Sequence, residues 1–254
     1  MLKFSIITVC YNSEQTIAET ISSVNCQSFR NYEHIIIDGL STDTTLDIVN
    51  FSKDKKTVVF SEKDEGLYDA MNKGILKAKG EYLAFLNSDD RFINNYVLEK
   101  VNLIAKSDPD FIYGGINYFS ENAHKQRIWM PDNFNIIKKK KLQIPHPCIF
   151  IKRDKLIEKN RFFDTNLKIA SDLKQQLEFI HIDNRAGVLI NEVLVDMRLG
   201  GKSTDGLLAF LTGWRESVVV YKEIFGLVGL FFCIRKILYK LLQIKNIVYF
   251  VKPN

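Results

Sequence analysis

The sequence predicts an α/β fold, a sheet flanked by helices, followed by a helical appendage. Three observations predict it. Short apolar runs alternate with amphipathic stretches without a gap from residue 4 to 86. The run His34-Ile35-Ile36-Ile37-Asp38 is apolar on both faces, as a strand covered from both sides must be. From Leu207 to Val251, large apolar residues mix with bases.

Taken in order, apolar runs and breakers give a strand over 4–9, a helix over 14–27, a strand over 34–38 and a helix over 43–53. A strand over 57–61, a helix over 66–79 and a strand over 81–86 follow. This alternation predicts an open, largely parallel sheet. Beyond residue 110 the pattern predicts a strand over 111–113, a hairpin through Tyr118 and Ile128, a basic loop over 138–141 and a strand over 148–151. A polar helix over 171–180 and a strand over 187–190 complete it.

The composition excludes several classes of protein. With 46% hydrophobic and 26% charged residues the chain carries enough apolar surface for a packed core. Cys10, Cys26, Cys148 and Cys233 form no C-x-x-C pair, so a disulfide framework or a structural zinc site is not expected, and a reducing compartment fits. The apolar run 4–9 is short, lacks a small-residue cleavage site and reads as a buried strand instead of a signal peptide. The longest apolar stretch, 224–234, is about half of the roughly 18 residues that a spanning helix needs, so a processive membrane-embedded synthase is not expected. Eight bases against three acids follow residue 201, so the whole net charge of +5 lies in the C-terminal segment. These bases sit among aliphatic residues, which disfavours a nucleic-acid partner.

In open α/β sheets ligands bind at the carboxyl ends of the strands. Four polar strand ends meet that rule: Tyr11-Asn12, Asp38-Gly39, Glu62-Lys63-Asp64-Glu65 and Asn87-Ser88-Asp89-Asp90. Adjacent carboxylates repel unless a cation lies between them and a ligand, so Asp89 and Asp90 are expected to hold Mg²⁺ or Mn²⁺ together with diphosphate oxygens. A solvated acidic turn is the plain alternative for an isolated pair; three neighbouring polar strand ends weigh against it. Ser41 or Asp43 can cap the following helix, but capping leaves Asp38 unexplained, and a carboxylate there suits a base N–H or a ribose hydroxyl.

The blocks Thr8-Val9-Cys10-Tyr11-Asn12, Ile37-Asp38-Gly39-Leu40-Ser41-Thr42-Asp43, Ser61 to Ile75 and Leu86-Asn87-Ser88-Asp89-Asp90 resemble the inverting family 2 glycosyltransferases of the GT-A fold, in order and in spacing. The match is close over 3–92 and looser to about residue 200. The resemblance implies nucleotide contacts at Thr8, Tyr11 and Asn12, a base contact at Asp38 and a border of the uridine or its equivalent at Asp64. It further implies sugar-diphosphate neighbours at Asn72 and Lys73, and a metal-and-ribose motif at Asp89 and Asp90. Two positions depart from the pattern. Cys10 stands where proline or a small aliphatic residue is common, and Asn87 where many members have a further Asp, which leaves metal ligation to Asp89 and Asp90.

An inverting transfer needs a base near the acceptor hydroxyl. Asp172 lies where the family carries its catalytic carboxylate; the alternative is that Ser171 or Asp172 merely starts a helix. His146, between two prolines, matches a histidine on the acceptor side, although a lone histidine is more often structural. Lys202, in Gly200-Gly201-Lys202-Ser203-Thr204, matches a loop that closes on the donor diphosphate, while a plain turn explains the glycines equally well. Lys138 to Lys141 read as a solvated loop, with guidance of a phosphorylated acceptor as the second reading.

These readings define the expectation. Residues 1–205 form a GT-A domain (1–110 for the nucleotide sugar, 111–205 for the acceptor side), and 206–254 form a basic amphipathic tail. The expected activity is metal-dependent inverting transfer of a sugar from a nucleotide diphosphate donor, a UDP-sugar first, to a glycan or lipid-linked glycan in polysaccharide synthesis. The expected place is the cytoplasmic face of the membrane, reached through the tail, where packing of the tail on the catalytic domain or another subunit is the alternative. The oligomeric state stays open. A nucleotidyltransferase lacks its Gly-rich phosphate loop here, and a non-catalytic nucleotide-sugar-binding module requires that Asp172 do nothing.

Overall fold

A computed structural model describes residues 2–120, 125–199, 206–243 and 247–249. Strands β1 (Phe4–Cys10), β2 (Tyr32–Asp38), β3 (Thr57–Ser61) and β4 (Tyr82–Phe85) alternate with helices α1 (Ile17–Asn25), α2 (Thr45–Ser52) and α3 (Leu67–Lys77). Strand β1 pairs in parallel with both β2 and β4, and β2 with β3. The period-two alternation of β1 feeds two cores: Ile7 and Val9 pack beneath α3, whereas Phe4 and Ile6 face the opposite side. All seven residues of β1 are buried, which is why the run shows no polar face.

The second half turns the sheet from parallel to mixed. After β5 (Arg91–Phe92) and α4 (Val97–Ala105) come β6 (Phe111–Phe119), β7 (Lys125–Trp129), α5 (Phe134–Lys140), β8 (Ile149–Lys152), α6 (Arg153–Glu158), α7 (Ser171–Leu177) and β9 (Gly187–Arg198). Strand β8 is antiparallel to both β4 and β6, and β9 runs parallel to β6 with a register irregularity near Gly115. The β6–β7 pair is the expected hairpin. Helix α4, with Val97, Leu98 and Val101 inward, completes the second core.

Three expectations are corrected. Residues 138–140 belong to α5, because the Asn133 side chain accepts the Ile136 N–H at 3.1 Å and Ile137 is buried; only Lys141, at φ 53°, leaves the helix. The helix expected over 171–180 is α-helical only to Leu177 and continues as a wider π turn over Glu178–Ile182, with Leu173, Leu177, Phe179 and Ile180 inward. The strand expected over 187–190 extends to Arg198, since pairing with β6 resumes at Val193 after a register shift that leaves Asn191 and Glu192 exposed, and β5 pairs beyond it.

The C-terminal segment forms α8 (Gly206–Phe225) and α9 (Val228–Gln243), and Ile247–Tyr249 form β10 against β7. The helices part at Gly226, whose φ of +65° is a conformation that an L side chain rarely adopts. Their inner face, with Val220, Tyr221 and Cys233, packs on Ala170, Leu173 and Leu177. Their outer face leaves Leu208, Phe210, Trp214, Leu227, Phe231 and Ile234 exposed. Among the described residues no helix is long and apolar enough to cross a membrane.

Candidate active site

The carboxyl ends of β1, β2 and β4 are tied to one another by side chains. Asn12, at φ 50°, donates its backbone N–H to Ser41 Oγ at 2.9 Å, and its Oδ1 accepts the Thr42 N–H at 2.9 Å. Ser13 Oγ lies 2.9 Å from Ser88 Oγ, and its backbone N–H donates to Thr45 at 2.7 Å. Tyr11 remains 56% exposed above this floor.

Two of the expected contacts lie beneath the floor instead of on it. Thr8 is fully buried with its hydroxyl 2.9 Å from His34 Nε2, and burial pushes His34 down to about 4. Asp38 is also fully buried: Ser41 Oγ donates to it at 2.5 Å, Ser61 Oγ at 2.7 Å and the Cys10 thiol at 3.7 Å. Asp38 thus knots β1, β2 and β3 together, and Cys10 carries the thiol that completes the knot. Asp64 stands beside it, with Oδ1 accepting the Gly66 N–H at 2.9 Å. Its Oδ2 lies where a Cβ on Gly39 would come within 2.3 Å, so a side chain at 39 would displace the Asp64 carboxylate.

Asn72 and Lys73 are likewise engaged with the protein. The Asn72 amide is clasped by both backbone groups of Phe163, at 2.9 Å and 2.8 Å, which joins α3 to the second half. Lys73 Nζ donates to the Lys63 carbonyl at 2.5 Å and pairs with Asp69 at 3.1 Å, closing the 61–66 loop.

The acidic pair is held differently. Asp90 is 1% exposed; its Oδ1 accepts the Arg198 backbone N–H at 3.3 Å and its Oδ2 accepts from Asn87 Nδ2 at 3.4 Å. Asp89 lies closer to the surface. Burial raises both carboxyls above the ordinary range, Asp90 further because Asp89 repels it, while the charge of Arg198 lowers both. Asn87 Oδ1 is buried without a partner. Two strained carboxylates beside an unsatisfied amide oxygen form a hard-oxygen donor set that fits Mg²⁺ or Mn²⁺. Among the described residues no third acid, histidine or cysteine joins them as a ready-made cage.

Asp172 is the second residue of α7, and neither it nor Ser171 caps that helix; Ala170 occupies the cap position without a side-chain bond. Asp172 Oδ1 accepts the Leu173 N–H at 2.7 Å, and Oδ2 accepts from Gln143 Nε2 at 3.0 Å. The α7 start is set by Glu216 of α8, whose carboxylate accepts the N–H groups of Lys168, Ile169 and Ala170 at 2.8–2.9 Å. It is set also by Tyr68, whose hydroxyl donates to the Ile169 carbonyl at 2.6 Å.

His146 stacks on Phe85 of β4 at 5.2 Å and meets Phe163 edge-on, with neither ring nitrogen partnered. Burial lowers its pKa and the nearby Asp172 charge opposes that shift. Tyr118 of β6 links the two acidic places: burial pushes it up to about 12, and the charges of Asp90 and Asp172 both add to the rise. Lys202 and the glycines beside it lie outside the described residues.

Sequence reasoning missed Ser13, Ser88, Tyr118, Gln143, Arg198 and Glu216. Ser88 stands within a block already singled out, and Ser13 directly follows one. The other four carry no local signal, being brought in by strand pairing and by helix packing.

The model of glycosyl transferase family 2 matches residues 5–159. The chain belongs to that family. It is 28% identical over 211 residues to an uncharacterised glycosyltransferase of Rickettsia typhi, covering 79% of this chain and 65% of that one. It is 33% identical over 120 residues to the Escherichia coli UDP-Glc:alpha-D-GlcNAc-diphosphoundecaprenol beta-1,3-glucosyltransferase WfgD, covering 47% of each. The chain thus spans less than two thirds of the length of these relatives. S. aureus TarS 1–349 in complex with UDP-GlcNAc superposes with a TM-score of 0.70 at 21% identity, over 92% of this chain and 71% of that one. The mannosyltransferase PcManGT of Pyrobaculum calidifontis, solved with GDP-Man and Mn²⁺, gives 0.61 at 15% identity, over 94% and 75%. The mixed sheet with flanking helices is therefore the GT-A fold.

Proposed function

We propose that this family 2 member transfers a sugar, with inversion, from a nucleotide diphosphate donor, a UDP-sugar first, to a lipid-linked glycan acceptor during surface-polysaccharide synthesis. The observation that carries this reading is the buried, mutually repelling pair Asp89–Asp90 beside the strand ends that Asn12, Ser13, Ser41 and Ser88 tie together. Residues 1–205 are the catalytic unit, and 206–254 are an appendage whose helices α8 and α9 pack on α7.

Tyr11, Asn12 and Asp64 border the nucleotide, and Thr8 and Asp38 act from beneath by fixing the loops that carry them. Lys73 holds the 61–66 loop against the diphosphate, and Asn72 fixes the Phe163 backbone behind it. Asp89, backed by Asp90, would hold Mg²⁺ or Mn²⁺, which supplies positive charge for the leaving diphosphate. Asp172 takes the proton of the acceptor hydroxyl, Gln143 orients its carboxylate and His146 lines the acceptor side.

The test is a thermal-shift panel of UDP-, GDP- and dTDP-sugars with and without Mn²⁺. At a hundredfold excess over Kd, one donor raises the melting temperature by about 5–10 °C. No shift with any donor, manganese included, rejects the reading.

The outer face of α8 and α9, with Trp214 and Phe231 exposed near Arg215 and Arg235, lies on the inner leaflet of the cytoplasmic membrane. The double substitution Trp214→Ser, Phe231→Ser reduces sedimentation with anionic vesicles at least about tenfold. Unchanged sedimentation leaves the helix pair as packing alone.

A further inference from the structure

The strip 141–144 runs along the helix 171–182 and binds it at three places. Gln143 Nε2 donates to Asp172, the Ile144 N–H donates to Gln176 Oε1 at 3.0 Å, and Lys141 Nζ lies 3.4 Å from His181 Nδ1. At the far end of this track, Lys138, Lys141 and His181 gather. Lys138 reaches Asn184 at 2.6 Å on the same turn, and Phe225 of α8 lies against both the Lys141 ammonium and the His181 ring.

Among the described residues no acid is paired with Lys138 or Lys141. Glu178 and Asp183, the acids nearest to His181 along the chain, are both held by Arg161, and Glu223 is held by Lys174. Burial first, then Lys141 and Lys138, disfavours protonation of His181, and burial together with Lys138 lowers the pKa of Lys141. Nε2 of His181 is buried with no partner. Assembled like charge with no facing acid is relieved by a bound anion.

We propose that Lys138, Lys141 and His181 form a subsite for the diphosphate of a lipid-linked acceptor whose sugar end reaches Asp172. The proposal rests on the glycosyl-transfer reading for the role of Asp172. His181 lies nine positions after Asp172, which at the helical rise is roughly 13 Å. A short glycan with a diphosphate on its reducing end spans a comparable length. The subsite also borders α8, beyond which the apolar residues of the outer helical face begin, so a lipid tail leaving the diphosphate meets a surface suited to it. Lys138 and Lys141 supply the charge, and His181 is the neighbour that senses the anion.

The experiment follows the His181 ring, whose pKa is lowered to about 3, by NMR between about pH 2.5 and 7 in the full chain, with inorganic pyrophosphate added against sodium chloride of equal ionic strength. Pyrophosphate is expected to raise the His181 titration midpoint by about one unit or more, since a nearby anion favours the protonated ring. The double variant Lys138→Gln, Lys141→Gln is expected to lose that response and to sediment with anionic vesicles as the parent does. An unresponsive His181 in the parent overturns the proposal, as does a full response in the double variant. Loss of vesicle binding in the double variant, with His181 indifferent to pyrophosphate, assigns the cluster to lipid headgroups and overturns it too. The readout needs no turnover or donor, so its failure is separable from failure of the donor panel.

Discussion

The first half of the sheet and the second assemble their polar ends in opposite ways. In β1 to β4 the candidate residues Tyr11, Asn12, Asp64, Asp89 and Asp90 stand a few residues after their own strands, and the loops tie to one another through Asn12, Ser41 and Ser88. In the second half, Asp172 depends on Gln143 from one side, Tyr68 from another and Glu216 from a third, separated by 29 to 101 residues along the chain. Strand ends built from consecutive βα units are written locally, whereas the surroundings of Asp172 exist only when distant segments pack. Sequence order therefore exposes the first half and conceals the second.

The sharpest way to break this comparison is Asp172→Asn. Turnover falls about 10²–10⁴-fold, the usual contribution of a positioned base, while the donor-induced thermal shift is kept. A variant that loses donor binding as well would mean that the two halves are not separable. Next in size is Glu216→Ala, which strips the acceptor from three backbone N–H groups before α7. It costs about 2–3 kcal/mol, or roughly 5–10 °C in melting temperature, and lowers turnover through Asp172. A wild-type melting curve would mean that α8 does not support the site.

The smallest effect is Asp90→Asn in the first half. An acid whose folded pKa lies above its unfolded one binds more protons when folded, so its contribution to stability falls as pH rises from the ordinary value of 3.8 toward the folded value, and stays lost above it. The substitution is therefore expected to stabilise the metal-free protein by about 1 kcal/mol at neutral pH, with the gain vanishing toward pH 4. His34 and His181, lowered to about 4 and about 3, lose stability in the opposite direction as pH falls, but they are common to both proteins and cancel in the difference. Urea melts across pH 4.5–8 measure it, and destabilisation at pH 7 would show that the acid pair carries no strain.

Much of the fold was legible because its signals are local. The seven-residue strands β1 and β2 are buried runs, and the boundaries of β3 match the expected 57–61. Lys138 to Lys140 misled because charge alone does not oppose helix formation; the Asn133 cap and buried Ile137 decide it. Arg198 was invisible as a partner of Asp90, since 108 residues separate them and only the β9 pairing brings its N–H to the carboxylate.

By itself the sequence determined the alternation of strands and helices, the polar strand ends and the charge of the C-terminal segment, because periodicity, burial on two faces and composition are properties of neighbouring residues. Only the tertiary structure decided which polar groups are consumed and which stay open. Thr8, Asp38 and Asn72 are satisfied by His34, Ser61 and Phe163, whereas Asn87 Oδ1 and both nitrogens of His146 are left without a partner. The physical reason is that a buried polar group is settled by whichever donor or acceptor packs against it, and those partners lie far away along the chain.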